Sequence, residues 1–206
     1  MLREIQRTLS ELYDLHEAPD VEQFVCGEEV LRAVVGDGAA ARGEVLLVFE
    51  EDDHLHLGLY LHPDVLAQIA GRSPDFRALC LATEGVSHFL YLSFRAGNEE
   101  QVSQLELELQ AEVDKYAAGL LAGNGAGLVA ARSRALRQRL FDRARFLDPP
   151  DTPEGERYRV AHRAAARYAA ALEKRYIEPG RIGELCAELR RFYRLGAREK
   201  LERAAG

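Results

Sequence analysis

The segment from Asn98 to Leu121 constrains the fold more than any other part of the sequence. Its apolar residues recur at intervals of three and four, so they share one stripe of a helix. This stripe consists of Val102, Leu105, Leu109, Val113, Tyr116 and Leu120. Asn98 is a favourable N-cap, and Gly123 is a natural residue to end a helix. The alternation within 105–109 also fits a strand, but the longer pattern predicts one helix over 98–121.

Three segments before this helix have the patterns of β-strands. The continuous apolar run at 45–49 is typical of a strand that is covered on both faces. Residues 54–61 alternate strictly between apolar and other residues, so they predict the second strand of a hairpin. The segment 86–94 alternates in a similar way and predicts a third strand. We therefore expect a small antiparallel sheet of about three strands in the N-terminal half.

Helical patterns surround the strands and fill the rest of the chain. In the N-terminal half we predict helices at 2–16, 21–35, 64–70 and 73–84. After the glycine-rich connection at 122–127, we predict helices at 128–146, 152–176 and 182–195. The charged tail after Gly196 is expected to fray. The fold class is therefore α+β, with an α+β domain at 1–122 and an all-helical domain at 128–206.

The overall charge of −7 conceals a strong asymmetry between these two parts. Residues 1–122 contain 8 basic and 23 acidic residues, a net charge of −15, whereas residues 128–206 contain 19 and 11, a net charge of +8. Such asymmetry fits a basic part that binds nucleic acid or a membrane surface. It also fits two parts that dock on one another as one globule, which is the interpretation that we favour.

The compartment follows from what the sequence lacks. No run approaches the roughly 18 apolar residues that a membrane-spanning helix requires, and the charged N-terminus does not resemble a signal peptide. The three cysteines are far apart and odd in number, which favours reduced thiols. We therefore expect a cytoplasmic protein that does not enter a membrane.

A row of histidines is the first candidate site. His54 and His56 lie two apart on the predicted strand, so they point to the same face, and His62 extends the row. Imidazoles placed in this way can share zinc or another divalent metal, with a third ligand from His62, His88 or an acid such as Asp52 or Asp53. The alternative is a solvent-facing side of the sheet, in which case no cofactor is required.

Carboxylates on the helix at 98–121 form the second candidate. They are Glu106, Glu108, Glu112 and Asp114. Paired carboxylates can perform acid–base chemistry or bind a divalent cation when they are buried together. They can equally form a solvated helix face, or they can face the arginines of the C-terminal part.

Arginines on the helix at 152–176 form the third candidate. Arg159, Arg163 and Arg167 are spaced by four, so they line one face of that helix. Arginine binds carboxylates and phosphates bidentately, so this face suits an acidic protein surface or a nucleic acid. The arginines are not interleaved with base-stacking aromatic residues, which favours a contact with protein.

No catalytic motif accompanies these candidates. The expected function is therefore a non-enzymatic interaction or scaffold module, with a protein partner or self-association. One alternative is a metal-dependent hydrolase that uses His54 and His56. The other is a nucleic-acid-binding accessory protein that uses the arginine-rich helices.

Overall fold

A small mixed sheet occupies the first third of the chain. The structure, a computed structural model, describes residues 1–36, 42–52, 54–71, 73–122, 129–144 and 146–206. The strands are β1 (Val25–Cys26), β2 (Glu44–Glu51) and β3 (His54–Leu61). Their order in the sheet is β1-β3-β2, with β2 antiparallel and β1 parallel to β3. The predicted α+β class is confirmed, although the sheet is mixed rather than purely antiparallel.

Helices make up most of the remaining chain. In the N-terminal part they are α1 (Leu2–Tyr13), α2 (Glu28–Val35), α3 (Pro63–Ala70), α4 (Phe76–Gly97) and α5 (Gln104–Leu121). In the C-terminal part they are α6 (Val129–Arg137), α7 (Pro153–Leu172), α8 (Ile182–Tyr193) and α9 (Ala197–Ala205). The C-terminal half contains helices joined by turns, with no strand among its described residues, as predicted.

Helix α4 replaces the predicted third strand. The segment 86–94 was expected to be a strand, and Gly85 was expected to end the preceding helix, but both lie inside α4. Every residue from Val86 to Tyr91 is buried. A helix that is buried all round carries no helical period in its sequence, so its apparent alternation has no structural meaning.

Helix α5 begins later than predicted. Asn98 caps the C-terminal end of α4 instead of starting the next helix, and Glu99 has a positive φ of 57°. The N-cap of α5 is Ser103, whose hydroxyl accepts a hydrogen bond from the Glu106 N–H at 3.2 Å. The predicted apolar stripe is correct from Leu109 onward, but the opposite side of the helix is also buried.

Two further predictions about secondary structure were wrong. The predicted helix at 21–35 is divided into a 3-10 turn (Val21–Phe24), β1 and α2, with Gly27 at the start of α2. The tail after Gly196 does not fray but forms α9, in which Lys200 and Ala204 are buried one turn apart. One buried face is enough to hold a short helix against its neighbours.

Apolar packing joins the two predicted parts. The largest group of buried apolar side chains takes members from both, including Leu109 and Tyr116 of α5 and Ala161 and Ala165 of α7. The alanines let α7 approach α5 closely. The predicted boundary at 122–127 falls almost wholly on residues 123–128, which are outside the described part, so the division into two domains stays a prediction.

Among the described residues, few ion pairs join the acidic N-terminal part to the basic C-terminal part. Asp14 pairs with Arg190 at 3.0 Å, as the charge asymmetry suggests. In the pair of Arg42 with Asp148, at 3.2 Å, the basic residue belongs to the N-terminal part and the acidic residue to the C-terminal part. The shared apolar core therefore holds the parts together more than charge attraction does.

The outer end of the hairpin is exposed. The run at 45–49 was expected to be covered on both faces, but Val48 and Phe49 remain 45% and 61% exposed. The helices cover only the first half of β2, because its second half extends past them toward the turn at Asp52. None of the helices in the described ranges combines the length and the apolar content that a membrane crossing requires.

Candidate functional site: a buried histidine–carboxylate cluster in an acidic groove

Helix α4 places Glu84 and His88 one turn apart. Residues four apart in a helix lie above one another on the same face. The helix is fixed at its start by Asp75, whose carboxylate accepts hydrogen bonds from the N–H groups of Arg77 and Ala78. Since α4 packs against both the hairpin and α5, this face points into the interior.

Glu108 of α5 completes a group of three potential metal ligands. One ligand atom from each of Glu84, His88 and Glu108 lies within 4.8 Å of the other two. The Nε2 atom of His88 is 3.8 Å from Oε2 of Glu108. Within the described ranges, no other set of three such side chains has this spacing. We call this group the Glu84–His88–Glu108 cluster.

Glu44, the first residue of β2, supports the histidine from the other side. Its Oε1 atom lies 3.4 Å from Nδ1 of His88. This approach depends on Gly85, because a Cβ atom there would lie 2.8 Å from Cδ1 of Leu59 and 2.9 Å from Cγ of Glu44. The glycine in α4 therefore lets the hairpin come close enough for Glu44 to reach the imidazole ring.

One nitrogen of His88 has no hydrogen-bond partner. The side chain is 91% buried, and its Nε2 atom faces the gap in front of Glu108. A buried polar atom without a partner costs about 1–3 kcal/mol, so such atoms are uncommon in folded proteins. In the neutral form of His88 with its proton on Nδ1, the N–H donates a hydrogen bond to Glu44 and Nε2 presents a free lone pair to the cluster.

The charges of the cluster depend on one another. Burial on its own would lower the pKa of His88, but the carboxylates of Glu44 and Glu108 outweigh it and raise the pKa to about 9. Burial raises the pKa of Glu108 to about 7, although the charge of His88 opposes it. The hydroxyl of Tyr158 on α7 also opposes this rise in the pKa of Glu108, because it favours the charged carboxylate. Perturbed titrating groups in a cleft are typical of functional sites.

A second network adjoins the cluster through Glu84. Nζ of Lys115 donates to Oε2 of Glu84 at 3.2 Å and also to Glu112. Glu112 in turn contacts Nδ1 of His162 at 2.9 Å, while Nε2 of His162 lies 3.2 Å from the carbonyl oxygen of Phe141. Burial on its own would lower the pKa of His162, but the acceptors at both ring nitrogens outweigh it and raise the pKa. Each group in this network has a partner, so it offers no free position to a ligand.

A groove of about 960 Å³ opens above the cluster. His88 and Glu108 line its base, beside Glu44 and Tyr158. Among the described residues, seven carboxylates line the groove, from Glu44, Glu50, Glu51, Asp52, Glu99, Glu100 and Glu108. Its guanidinium groups come from Arg42 and Arg157. We call it the acidic groove.

The predicted histidine row does not converge. His54 and His56 are exposed on β3, and His54 lies at the edge of the acidic groove. His62 caps α3, since its Nδ1 atom accepts a hydrogen bond from the Asp64 N–H. None of the three belongs to a group of three potential ligands within the described residues, and Asp53 lies outside them.

The predicted arginine face is divided. Arg159 is half-buried and donates to the carbonyl oxygens of Asp148 and Gly155 at 3.1 and 2.8 Å. Its guanidinium carbon also lies 4.6 Å from the centre of the Phe146 ring. Arg163 and Arg167 are exposed. Arg159 therefore fixes the start of α7, whereas the binding of phosphate or protein by the other two stays a prediction.

Three of the four predicted acids of α5 are buried and Glu112 is partly buried, and none of the four forms an ion pair with a C-terminal arginine among the described residues. This corrects one interpretation of Glu106, Glu108, Glu112 and Asp114. Glu106 accepts a hydrogen bond from Tyr91 and lies 3.6 Å from Arg95, and both of these residues belong to α4. Asp114 accepts hydrogen bonds from Tyr13, Ser87 and Gln110 at 2.5, 2.6 and 2.7 Å. Acids on different sides of α5 are removed from solvent because α1, α4 and α7 pack around this helix.

Lys200 of α9 lies in the same interior region. Its side chain is fully buried, and Nζ donates to Oε1 of Gln110 at 2.5 Å. The same nitrogen is 4.0 Å from the centre of the Tyr91 ring. Burial lowers the pKa of Lys200 to about 7, although Glu106 and Asp114 oppose this effect.

The sequence patterns did not identify Glu84 and Glu44 as site residues, and they gave His88 only as an optional third ligand. The signal that could have found them is the spacing of Glu84 and His88 by four, which has meaning only if the segment is a helix. Because the segment 86–94 was predicted to be a strand, this helical spacing was not recognised. Glu44 is brought in by the packing of β2 on α4, which no local pattern encodes.

Comparison with known proteins gives no further guide. No family model, no curated protein and no solved structure matches this chain. The function must therefore be argued from the geometry and charge of the site.

Proposed function

We propose that this protein is a non-enzymatic interaction module that holds a basic segment of a partner protein in the acidic groove. The observation that carries the proposal is the charge of the groove lining, to which the described residues contribute seven carboxylates and two guanidinium groups. A concave surface with one sign of charge attracts ligands of the opposite sign and speeds their association.

The walls of the acidic groove also suit lysine and arginine side chains. Between the carboxylates lie apolar residues, among them Val45, Leu46, Leu92 and Leu107. Long basic side chains bury their aliphatic stems against apolar surface while their charged ends stay near acids and water. The groove therefore offers contacts to both portions of such a side chain.

The acids at the rim are placed to meet a ligand first. Glu50, Glu51 and Asp52 lie at the tip of the hairpin, and Glu99 follows the end of α4. All four residues are exposed, so they act on an approaching ligand over roughly a Debye length, about 10 Å at moderate salt. Binding should accordingly weaken as the salt concentration rises.

The test is the binding of a fluorescent oligolysine peptide, followed by anisotropy at low and at high salt. We expect binding that falls with salt and that weakens several-fold in the Glu50→Gln/Glu51→Gln variant. The matched control is Glu11→Gln/Glu17→Gln, which removes the same charge from exposed positions outside the groove. The control should retain most of the affinity.

Two results would contradict the proposal. One is an equal loss of affinity in the groove variant and the control, because the peptide would then respond only to net charge. The other is equally tight binding of an oligoglutamate peptide, which an acidic groove should repel.

A further inference from the structure

We infer that the Glu84–His88–Glu108 cluster binds a divalent transition-metal ion at the base of the acidic groove. The three ligand atoms already lie within 4.8 Å of one another. An ion bonded to nitrogen and oxygen at about 2.0–2.2 Å brings its ligands to within roughly 3–4 Å of each other. Small side-chain movements therefore suffice to close the site.

The unpartnered nitrogen of His88 points independently to a ligand. Nε2 is buried, lacks a hydrogen-bond partner and faces Glu108. On the opposite side of the ring, Nδ1 is oriented by the carboxylate of Glu44. A carboxylate that holds one nitrogen of an imidazole while the other binds metal is the usual support of a metal-ligating histidine.

The two carboxylates are also positioned by partners that leave them able to bind an ion. Lys115 contacts Oε2 of Glu84, and a carboxylate has a second oxygen to offer. Tyr158 of α7 lines the groove together with Glu108 and favours its charged carboxylate, which opposes the rise in the pKa of Glu108. Since the ligands come from α4 and α5 and are held by β2, α5 and α7, the site is built on rigid elements, as precise coordination requires.

The donor set indicates the kind of ion. One imidazole nitrogen and two carboxylate groups suit zinc, manganese or iron better than calcium, which prefers six to eight oxygen ligands. Three protein ligands leave at least one coordination position open, and His88 and Glu108 line the groove. The open position therefore faces the groove, as it does in sites that exchange ligands rather than in closed structural zinc sites.

The competing interpretation is a purely structural cluster, in which a protonated His88 lies between Glu44 and Glu108. The two interpretations predict different results when metal is added, because only a metal site exchanges the proton on Nε2 of His88 for an ion. A purely structural cluster should not bind zinc more tightly than the exposed carboxylates of the protein do. The site that we infer binds one ion for each chain.

The experiment is a calorimetric titration of zinc, and separately of manganese, into protein purified without an affinity tag and freed of metal by a chelator. We expect one ion per chain, and a loss of at least about tenfold in affinity in His88→Ala. Glu44→Gln keeps all three ligands, so it should fold and bind about 10–100-fold more weakly. The matched control is His56→Ala, which removes an exposed imidazole and should leave the affinity unchanged.

The outcomes separate the two interpretations. Absence of binding by the unaltered protein, or equal affinity in His88→Ala, overturns the inference. If His88→Ala does not fold, Glu44→Gln decides, and an unchanged affinity in that variant overturns it. The titration contains no peptide, so its result is independent of the proposed binding of a basic segment.

Discussion

Replacing Lys200 with methionine should make the protein more stable at neutral pH. The ammonium group of Lys200 is fully buried, and its direct hydrogen-bond acceptor is the amide oxygen of Gln110 rather than a carboxylate. Methionine has a similar length and is apolar, so it can fill the same space beside Tyr91 and Phe192. The change therefore removes an unfavourable buried charge without leaving a large cavity.

The magnitude follows from the pKa of Lys200. Burial lowers it from 10.5 to about 7, and each pH unit between the two values is worth about 1.4 kcal/mol. Burying the charged form therefore costs about 5 kcal/mol. The variant leaves the oxygen of Gln110 without its donor, at a cost of about 1–3 kcal/mol. The net gain at pH 7 should be about 2 kcal/mol or more.

The sign of the pH dependence is opposite to that of a stabilising ion pair. Below about pH 7 both the folded and the unfolded chain bind the proton, so the full cost of the buried charge is present. Between pH 7 and 10.5 only the unfolded chain keeps the proton at Lys200, so the stability of the unaltered protein rises with pH. The advantage of Lys200→Met should therefore shrink from pH 7 toward pH 10.

The assay is urea unfolding of both proteins at several pH values from 6 to 10, with Lys174→Met as the control at an exposed position. Lys174→Met should change the free energy of unfolding by less than about 0.5 kcal/mol. A methionine variant at position 200 that is less stable at pH 7 would refute this account of Lys200. So would an advantage that does not change with pH.

Two more predictions concern stability. Gly155→Ala should lower the free energy of unfolding by about 1–3 kcal/mol, because a Cβ atom there would lie only 1.8 Å from the carbonyl oxygen of Pro149; chemical denaturation measures this, and an unchanged midpoint would contradict it. Tyr13→Phe should cost about 1.5–3 kcal/mol in the same assay, because it removes a hydrogen bond to the buried carboxylate of Asp114. If the phenylalanine variant is as stable as the parent, that hydrogen bond does not contribute to folding.

Local sequence patterns predicted the elements that have one buried face. The strand β3 and the helices α1, α7 and α8 each alternate between apolar and other residues at a clear period, and β2 is marked by its continuous apolar run. The patterns failed for α4, where a run of buried residues follows no helical period. They also failed for α9, because its buried residues are Lys200 and Ala204, and a lysine in a charged segment gives no apolar stripe.

The candidate site could be predicted only in part, for the same physical reason. The buried acids of α5 resemble a solvated helix face in the sequence, because burial of a carboxylate depends on partners from distant segments. Glu108 meets His88 across 20 positions, and Tyr158 meets Glu108 across 50. Exposed candidates such as His54 and Arg163 were easier to identify, since their spacing is visible within one element.

The most direct test of the inferred metal site at the Glu84–His88–Glu108 cluster is anomalous X-ray diffraction from crystals grown with zinc. The account predicts one strong anomalous peak between Nε2 of His88 and the carboxylates of Glu84 and Glu108, at the base of the acidic groove. A peak beside His54 and His56 instead, or no peak at the cluster when zinc is saturating, would contradict it.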